Sequence, residues 1–318
     1  MKRMLWIAGL AAATTVIAGC GSSSDGSEAA APAEEPKLAV VATTPEVADF
    51  VRNIGGAGVD VTQIIKPNVD PHDYEPTPAD LQAISKAKIV VKNGVGLEEW
   101  LDRTIESAGF TGAVVDSSEG VTLREGGHHH EEEEEGEHAE EEGEEHDPHI
   151  WHDPRNAKIM VANIEKGLAA ADPSNKATFN ANFVKYAAEI DKLDADNAAA
   201  WAKIEDRKLV TNHDAFGYYI ERYDLEFVGS VIPSLDTSAE LSAKQLSDLI
   251  AKIESTGTKA IFAESSLPPK TAEAIAQQAG VKVVAGEDAL FGDSLGPDGS
   301  YLEAERHNTE VMTEALAG

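Results

Sequence analysis

The chain of 318 residues contains a single cysteine, Cys20. One cysteine cannot close a disulfide within its own chain, so internal cross-links of that kind are excluded. The N-terminal apolar run, Met4 to Ala18, is short for a membrane-spanning helix. Because this run follows Lys2 and Arg3, it predicts a secretory signal peptide over residues 1–20.

The segment that ends at the cysteine indicates a second role for it. Ile17-Ala18-Gly19-Cys20 resembles the bacterial lipobox, in which the signal is cleaved before a cysteine that carries lipid. A buried free thiol is the other interpretation, but it fits poorly beside glycine and a run of serines. Residues 21–36, rich in Ser, Ala, Pro and Glu, predict a flexible tether. We therefore expect a lipid anchor on Cys20, at the extracytoplasmic face of a bacterial cell membrane.

Positive charge is also scarce. The chain has 26 Lys and Arg against 57 Asp and Glu, and its formal net charge is −31. Such a surface repels nucleic acid, so nucleic acid is excluded as a partner. A strongly negative field instead concentrates cations near the protein.

Lys and Arg are missing altogether from Glu125 to Pro154, and this stretch is rich in other charged and ionisable groups. Thirteen acidic residues lie between Glu125 and Asp147, and seven of the ten histidines lie between Gly126 and His152. Such a run cannot bury a core, so residues 125–147 predict a loop that collects divalent cations. A solvated linker and a purification tag are the alternatives, although glutamates interrupt the run. The histidines assigned to metal collection are His128, His129, His130, His138 and His146.

The rest of the chain alternates strand and helix signals, which predicts parallel sheets with helices on their faces. Between the two alternating parts, apolar residues from Phe179 to Ile204 recur at steps of three and four. They predict one helix of about thirty residues. We therefore expect an α/β fold with two lobes, each with a parallel β-sheet flanked by helices, joined by one long rigid backbone helix. The predicted bounds are 37–171 for the N-terminal lobe, 172–206 for the connecting helix and 207–318 for the C-terminal lobe.

Three histidines outside the repetitive run lie at the ends of strand signals or just before helices: His72, His149 and His213. In open α/β sheets, ligands bind outside the carboxyl ends of the strands, so these side chains are expected to meet in one cleft. Each histidine by itself is equally compatible with a hydrogen-bonded structural role.

Several motifs around these histidines resemble one family, the zinc and manganese substrate-binding lipoproteins of bacterial ABC importers, known as cluster A-I. The motifs are Pro71-His72-x-Tyr74-Glu75-Pro76-Thr77-Pro78-x-Asp80, His149-x-Trp151-x-Asp153-Pro154, His213-Asp214-Ala215-Phe216-Gly217-Tyr218, Ile261-Phe262-x-Glu264 and Asp293-Ser294-Leu295-Gly296. The resemblance covers nearly all of the mature chain. It implies two α/β lobes with a rigid connecting helix, an importer permease as partner, and His72, His149, His213 and Asp293 as metal ligands.

The implied ligand set favours zinc. Three imidazoles and one carboxylate suit tetrahedral Zn²⁺, and four protein ligands leave no open position for catalysis. By resemblance, manganese members carry Glu at the third ligand position, where this chain has His213. Glu75, Asp214 and Glu264 are candidates to orient the imidazoles from behind. His152 is a possible alternate ligand, although an exposed histidine beside Asp153 is the preferred interpretation.

Other functions stay open at this point. A manganese or iron receptor of the same family is the nearest alternative, and a zinc buffer or adhesin without an importer is another. Gly292-Asp-Ser-Leu-Gly296 matches a nucleophile elbow and predicts an esterase only remotely, because few residues remain downstream for triad partners. We expect a monomeric binding protein rather than an enzyme.

Overall fold

The structure is a computed structural model, and it describes residues 36–126, 146–239, 241–296 and 299–317. The predicted signal peptide, nearly all of the tether, and the loop histidines His128, His129, His130 and His138 lie outside these ranges. Within them, no helix combines the length and the apolar character needed to cross a membrane.

The first half of the described chain forms a parallel sheet of four strands in the order β2-β1-β3-β4. Its elements are β1 Leu38–Ala42, α1 Pro45–Gly55, β2 Val59–Gln63, α2 Pro78–Lys86, β3 Ile89–Lys92, α3 Leu101–Ala108 and β4 Ala113–Asp116. Two helices follow it, α4 Pro154–Ala171 and α5 Lys176–Trp201.

The second half repeats this arrangement with a parallel sheet in the order β6-β5-β7-β8. Its elements are β5 Lys208–Thr211, α6 Gly217–Tyr223, β6 Glu226–Ser230, α7 Ala243–Thr256, β7 Ala260–Phe262, α8 Lys270–Ala279, β8 Lys282–Val284 and α9 Tyr301–Ala317. The predicted fold class, with two parallel sheets flanked by helices, is confirmed.

Each sheet is covered on both faces, because alternate strand residues enter different cores. Val40 and Val91 pack into one core of the first half, and Val41 and Val90 pack into another. In the second half, Leu209 faces one core and its neighbour Val210 faces another. Burial on both faces explains why these strands are nearly continuous apolar runs.

Two helices contribute to cores of both halves. Phe179 of α5 lies in the first core and Trp201, at the other end of α5, lies in a core of the second half. In α9, Tyr301 belongs to the first core and Met312 to the second. The residues from Pro36 onward form one compact unit, and the lobe bounds given above stay predictions.

Candidate metal centre

The four side chains implied as ligands meet at one point between the two halves. Their nearest nitrogen and oxygen atoms all lie within 4.8 Å of one another. His72 lies in the connection from β2 to α2, and His149 directly precedes a short 3-10 turn that leads into α4. His213 follows β5, and Asp293 lies in the connection from β8 to α9. Each half of the molecule therefore supplies two of the four.

The donor atoms are spaced as the corners of a small tetrahedron. The Nε2 atom of His149 lies 3.3 Å from Nε2 of His72 and 3.3 Å from Nε2 of His213. The carboxylate oxygens of Asp293 lie 3.2 Å from His149, 3.2 Å from His213 and 3.5 Å from His72. Around a zinc-sized ion with bonds of about 2.0–2.1 Å, tetrahedral ligand atoms lie about 3.3–3.4 Å apart. The four side chains can close around a cation of that size without moving.

The carboxylate of Asp293 is fully buried, and neither of its oxygens has a hydrogen-bond partner among the described residues. A buried anion without hydrogen bonds is costly unless a cation compensates it. Burial alone would raise the pKa of Asp293, but the three imidazoles hold it well below its usual range. Burial lowers the pKa of His149, whereas Asp293 and Asp147 outweigh it and raise that pKa to about 9. The site is therefore built to balance negative and positive charge at one buried point.

A cavity of about 410 Å³ reaches this point from the surface. Its wall includes His72, Glu99, His146 and Asp236. The side chain of His72 is 8% exposed, while His149, His213 and Asp293 have no exposed side-chain surface. A cation that enters through this cavity would meet His72 first.

Comparison with known proteins agrees with this geometry. The sequence model of the family described as "zinc-uptake complex component A, periplasmic" matches residues 40–315. The chain belongs to this family. Members of the zinc-uptake component A family are metal-binding receptors of ABC transporters and not enzymes, so the expected class of protein is confirmed.

The relatives differ in the metal that their names give. The iron ABC transporter substrate-binding lipoprotein MtsA of Streptococcus pyogenes is 31% identical over 331 residues, 99% of either chain. The manganese lipoprotein PsaA of Streptococcus mitis is 31% identical over 291 residues, 88% of this chain and 90% of PsaA. The periplasmic zinc-binding protein TroA of Treponema pallidum superposes with a TM-score of 0.77 at 29% identity, covering 88% of this chain and 99% of TroA. Membership of the zinc-uptake component A family thus fixes the class of receptor but not its metal.

Two of the imidazoles are held from behind by carboxylates. Nδ1 of His213 lies 2.8 Å from Oε1 of Glu264, which also accepts the backbone N–H of His213 at 3.0 Å. Nδ1 of His149 lies 2.8 Å from Oδ1 of Asp147, and the backbone N–H of His149 donates to the same oxygen at 3.0 Å. Such partners fix the tautomer so that Nε2 is free for a metal. Glu264 is where the sequence analysis expects it, and Asp147 was missed.

The other residues named from the sequence lie elsewhere. Glu75 is exposed, because its neighbour Tyr74 turns inward and donates its hydroxyl to Asp80 at 2.8 Å. Asp214 is buried, and its backbone N–H donates to the carbonyl of Ser234. An orienting role for Asp214 stays a prediction, whereas the exposure of Glu75 argues against one.

His152 is not the exposed histidine that the sequence analysis prefers. It is fully buried, with Nδ1 2.7 Å from Glu305 and its ring stacked 4.5 Å from that of Phe216. It lies outside the group of four converging ligands. Its place is a polar contact between the turn after His149 and α9.

Ser294 does not have the surroundings of an esterase nucleophile. Its hydroxyl accepts the backbone N–H of Asn68 at 2.8 Å and donates to the carbonyl of Leu295. His307, a candidate triad partner, instead has Nε2 2.9 Å from the carbonyl oxygen of Ala289. These contacts and the family membership replace the esterase alternative.

Proposed function

We propose that the protein captures Zn²⁺ with His72, His149, His213 and Asp293 and delivers it to the permease of an ABC importer. The observation that carries this proposal is the tetrahedral spacing of three imidazole nitrogens and one carboxylate, with edges of 3.2–3.5 Å. Four protein ligands complete the coordination of zinc, so the ion is held rather than used for catalysis.

The chemistry of the donors supports zinc over harder cations. Imidazole suits zinc, whereas manganese prefers carboxylate, carbonyl and water oxygens. A manganese or iron receptor is nevertheless a second candidate, because both oxygens of Asp293 face the imidazoles. A carboxylate that binds through both oxygens adds a fifth donor, which suits a larger coordination number.

The His-rich segment is proposed to gather zinc near the mouth of the cavity. Its last histidine, His146, lines the same cavity as His72. The ends of the segment are held together, since Glu125 and His146 form an isolated antiparallel bridge. Weak binding on the segment would raise the zinc concentration where His72 is reached first.

The cellular setting is part of the same proposal. The named relatives are lipoproteins of ABC transporters, and we propose the same anchor here, through lipid on Cys20 after removal of residues 1–20. The protein would then act as a monomer at the extracytoplasmic face of the membrane and dock on its permease. A zinc buffer would hold the ion equally well, but it would not raise ATP hydrolysis by a reconstituted importer.

The test is a calorimetric titration in which zinc and manganese compete for the protein. We expect one tight zinc site that manganese does not displace, and its loss in His149→Ala and Asp293→Asn. His307→Ala is the matched control, because this histidine lies outside the four-residue group and should leave the tight site intact. Tighter binding of manganese would establish the second candidate, and tight zinc binding in His149→Ala would refute the assignment of the site.

A further inference from the structure

The two carboxylates behind the ligand histidines are not equivalent. Both use one oxygen to accept the ring Nδ1–H and the backbone N–H of their histidine. The second oxygen of Glu264 has no hydrogen-bond partner among the described residues. The second oxygen of Asp147 instead accepts from Nη1 of Arg124 at 2.8 Å. Only the carboxylate behind His149 is therefore compensated by a cationic side chain in this way.

Arg124 also contacts the second half of the molecule. Its Nε donates to Glu221 of α6 at 2.8 Å, and its guanidinium carbon lies 5.8 Å from the ring centre of Tyr218. The Tyr218 hydroxyl accepts the backbone N–H of Arg124 at 3.1 Å and donates to the carbonyl of Asp147 at 3.0 Å. Through these bonds, α6 of the second half is tied to the residues that hold His149.

The first residue of α6 leaves room for this contact. A Cβ atom at Gly217 would lie 1.8 Å from Nη1 of Arg124 and 2.6 Å from Oδ2 of Asp147. Both are far closer than atoms can approach, so any side chain at this position would displace the ion pair. The absence of a side chain at 217 is thus a local requirement of the Arg124–Asp147 pair.

Arg124 and Asp147 also lie directly outside the two ends of the His-rich segment. The backbone N–H of Asp147 donates to the carbonyl of Arg124 at 3.2 Å, next to the bridge between Glu125 and His146. The same two residues therefore join three parts of the molecule: the ends of that segment, α6 and the ligand His149.

We propose that Arg124 is a positioning residue for metal binding, which holds Asp147 and thereby the His149 ring in place against α6. This inference rests on the proposed metal site. Without the guanidinium, Asp147 would be a buried carboxylate with one oxygen unpaired, and it would turn or take up a proton to relieve that cost. Either change loosens the Nδ1 contact that directs Nε2 of His149 toward the cation. Changes to groups that hold a ligand histidine weaken metal binding by about 10–100-fold.

The test uses two variants of the full-length protein that break the ion pair in different ways. Arg124→Gln removes the charge, and Gly217→Ala keeps both charges but displaces the guanidinium. We expect each to weaken zinc binding about 10–100-fold in competition with a chelator and to change the visible absorption of bound Co²⁺, which reports coordination geometry. Arg124→Lys keeps the charge and should recover part of the affinity.

Arg155→Gln is the matched control. Arg155 forms a similar ion pair with Asp153 nearby, with contacts of 2.5–3.0 Å, but this pair touches no ligand histidine. Its affinity and Co²⁺ spectrum should equal those of the unmodified protein. Unchanged affinity and spectrum in both Arg124→Gln and Gly217→Ala would overturn the role of Arg124. Tight zinc binding in His149→Ala would show instead that the proposed site itself is wrong.

Discussion

Single residues of the centre carry more charge than their burial would allow alone. His149 has no exposed side-chain surface, yet Asp293 and Asp147 outweigh the effect of burial and raise its pKa from 6.5 to about 9. The pKa of His213 is likewise raised well above its usual value, by Glu264 and Asp293 against burial. Each ring must be neutral to bind a metal through Nε2, so protons and metal compete for the same atoms.

This competition gives a pH prediction. At pH 7 the His149 ring is protonated before metal binds, so binding should release about one proton or more per ion, and affinity should rise up to about pH 9. Without metal, the paired imidazolium stabilises the folded protein. That stabilisation is fully present below pH 6.5 and is lost as pH rises through about 9. Calorimetry in buffers of different ionisation enthalpy measures the released protons, and equal heats in all of them would contradict the prediction.

The identity of the third ligand gives a selectivity prediction. His213→Glu replaces an imidazole nitrogen by a harder oxygen and adds a second negative charge near Glu264, so zinc binding should weaken relative to manganese. The change should be at least the about 10–100-fold that altering a partner of a ligand costs. His213→Gln has the same shape without the charge and separates loss of the imidazole from gain of a carboxylate. An unchanged ratio of zinc to manganese affinities in His213→Glu would mean that another feature sets selectivity.

How far the sequence leads is clear from these residues. The motifs indicated all four converging side chains and Glu264. Asp147 escaped notice because it ends a run rich in identical charges, where composition marks every carboxylate equally. Only the backbone turn that brings its Oδ1 to both nitrogens of His149 distinguishes it. A carboxylate two residues before a ligand histidine was the available signal.

At the scale of elements, strands and helices were largely predictable, and the differences have local causes. The long helix was expected to have about thirty residues but has 26, Lys176–Trp201. At its end, the guanidinium of Arg207 donates to the carbonyls of Trp201 and Ile204 and closes the last turn. At its start, Asp172 accepts from Ser174 and Asn175, which makes a turn before the first helical residue.

The start of α3 shows the same kind of limit. Apolar periodicity predicts a helix from Leu97, whereas α3 begins at Leu101. The buried carboxylate of Glu98 accepts the backbone N–H groups of Asn93 and Gly94 and the hydroxyl of Thr43. These bonds hold the preceding residues in a turn, and no periodic pattern reports a contact of that kind.

The His-rich segment is the element with the clearest test. Replacing residues 127–145 by a short Gly-Ser linker leaves Arg124, the Glu125–His146 bridge and Asp147 in the chain. We expect the zinc stoichiometry to fall while one tight site remains, as measured by calorimetry. A variant of full length with His128, His129, His130 and His138 changed to Gln separates the histidines from the length of the segment. Loss of tight binding on deletion would place the principal site in the segment itself.

At the scale of the whole molecule, the two halves have the same strand order, second-first-third-fourth, although no sequence repeat was found between them. Topology of this kind is set by the burial of both sheet faces, which many apolar sequences satisfy, so it leaves no repeat to read. The equivalent edges of the two sheets face one centre, and each half supplies two ligands. The sequence also gave no sign that α9 packs into cores of both halves.

Shared ligands and shared helices predict that the molecule melts as one unit whose stability depends on the metal. An ion that binds only the folded state stabilises it by about 4 kcal/mol at a thousandfold excess over Kd. For a chain of this size, that corresponds to a rise in Tm of about 10 °C. Scanning calorimetry with increasing zinc should show a single transition that moves upward, while His149→Ala should melt at the same temperature with and without zinc. If two transitions appear and zinc moves only one of them, the cation is held by one half of the molecule, and the shared centre described here is not the principal site.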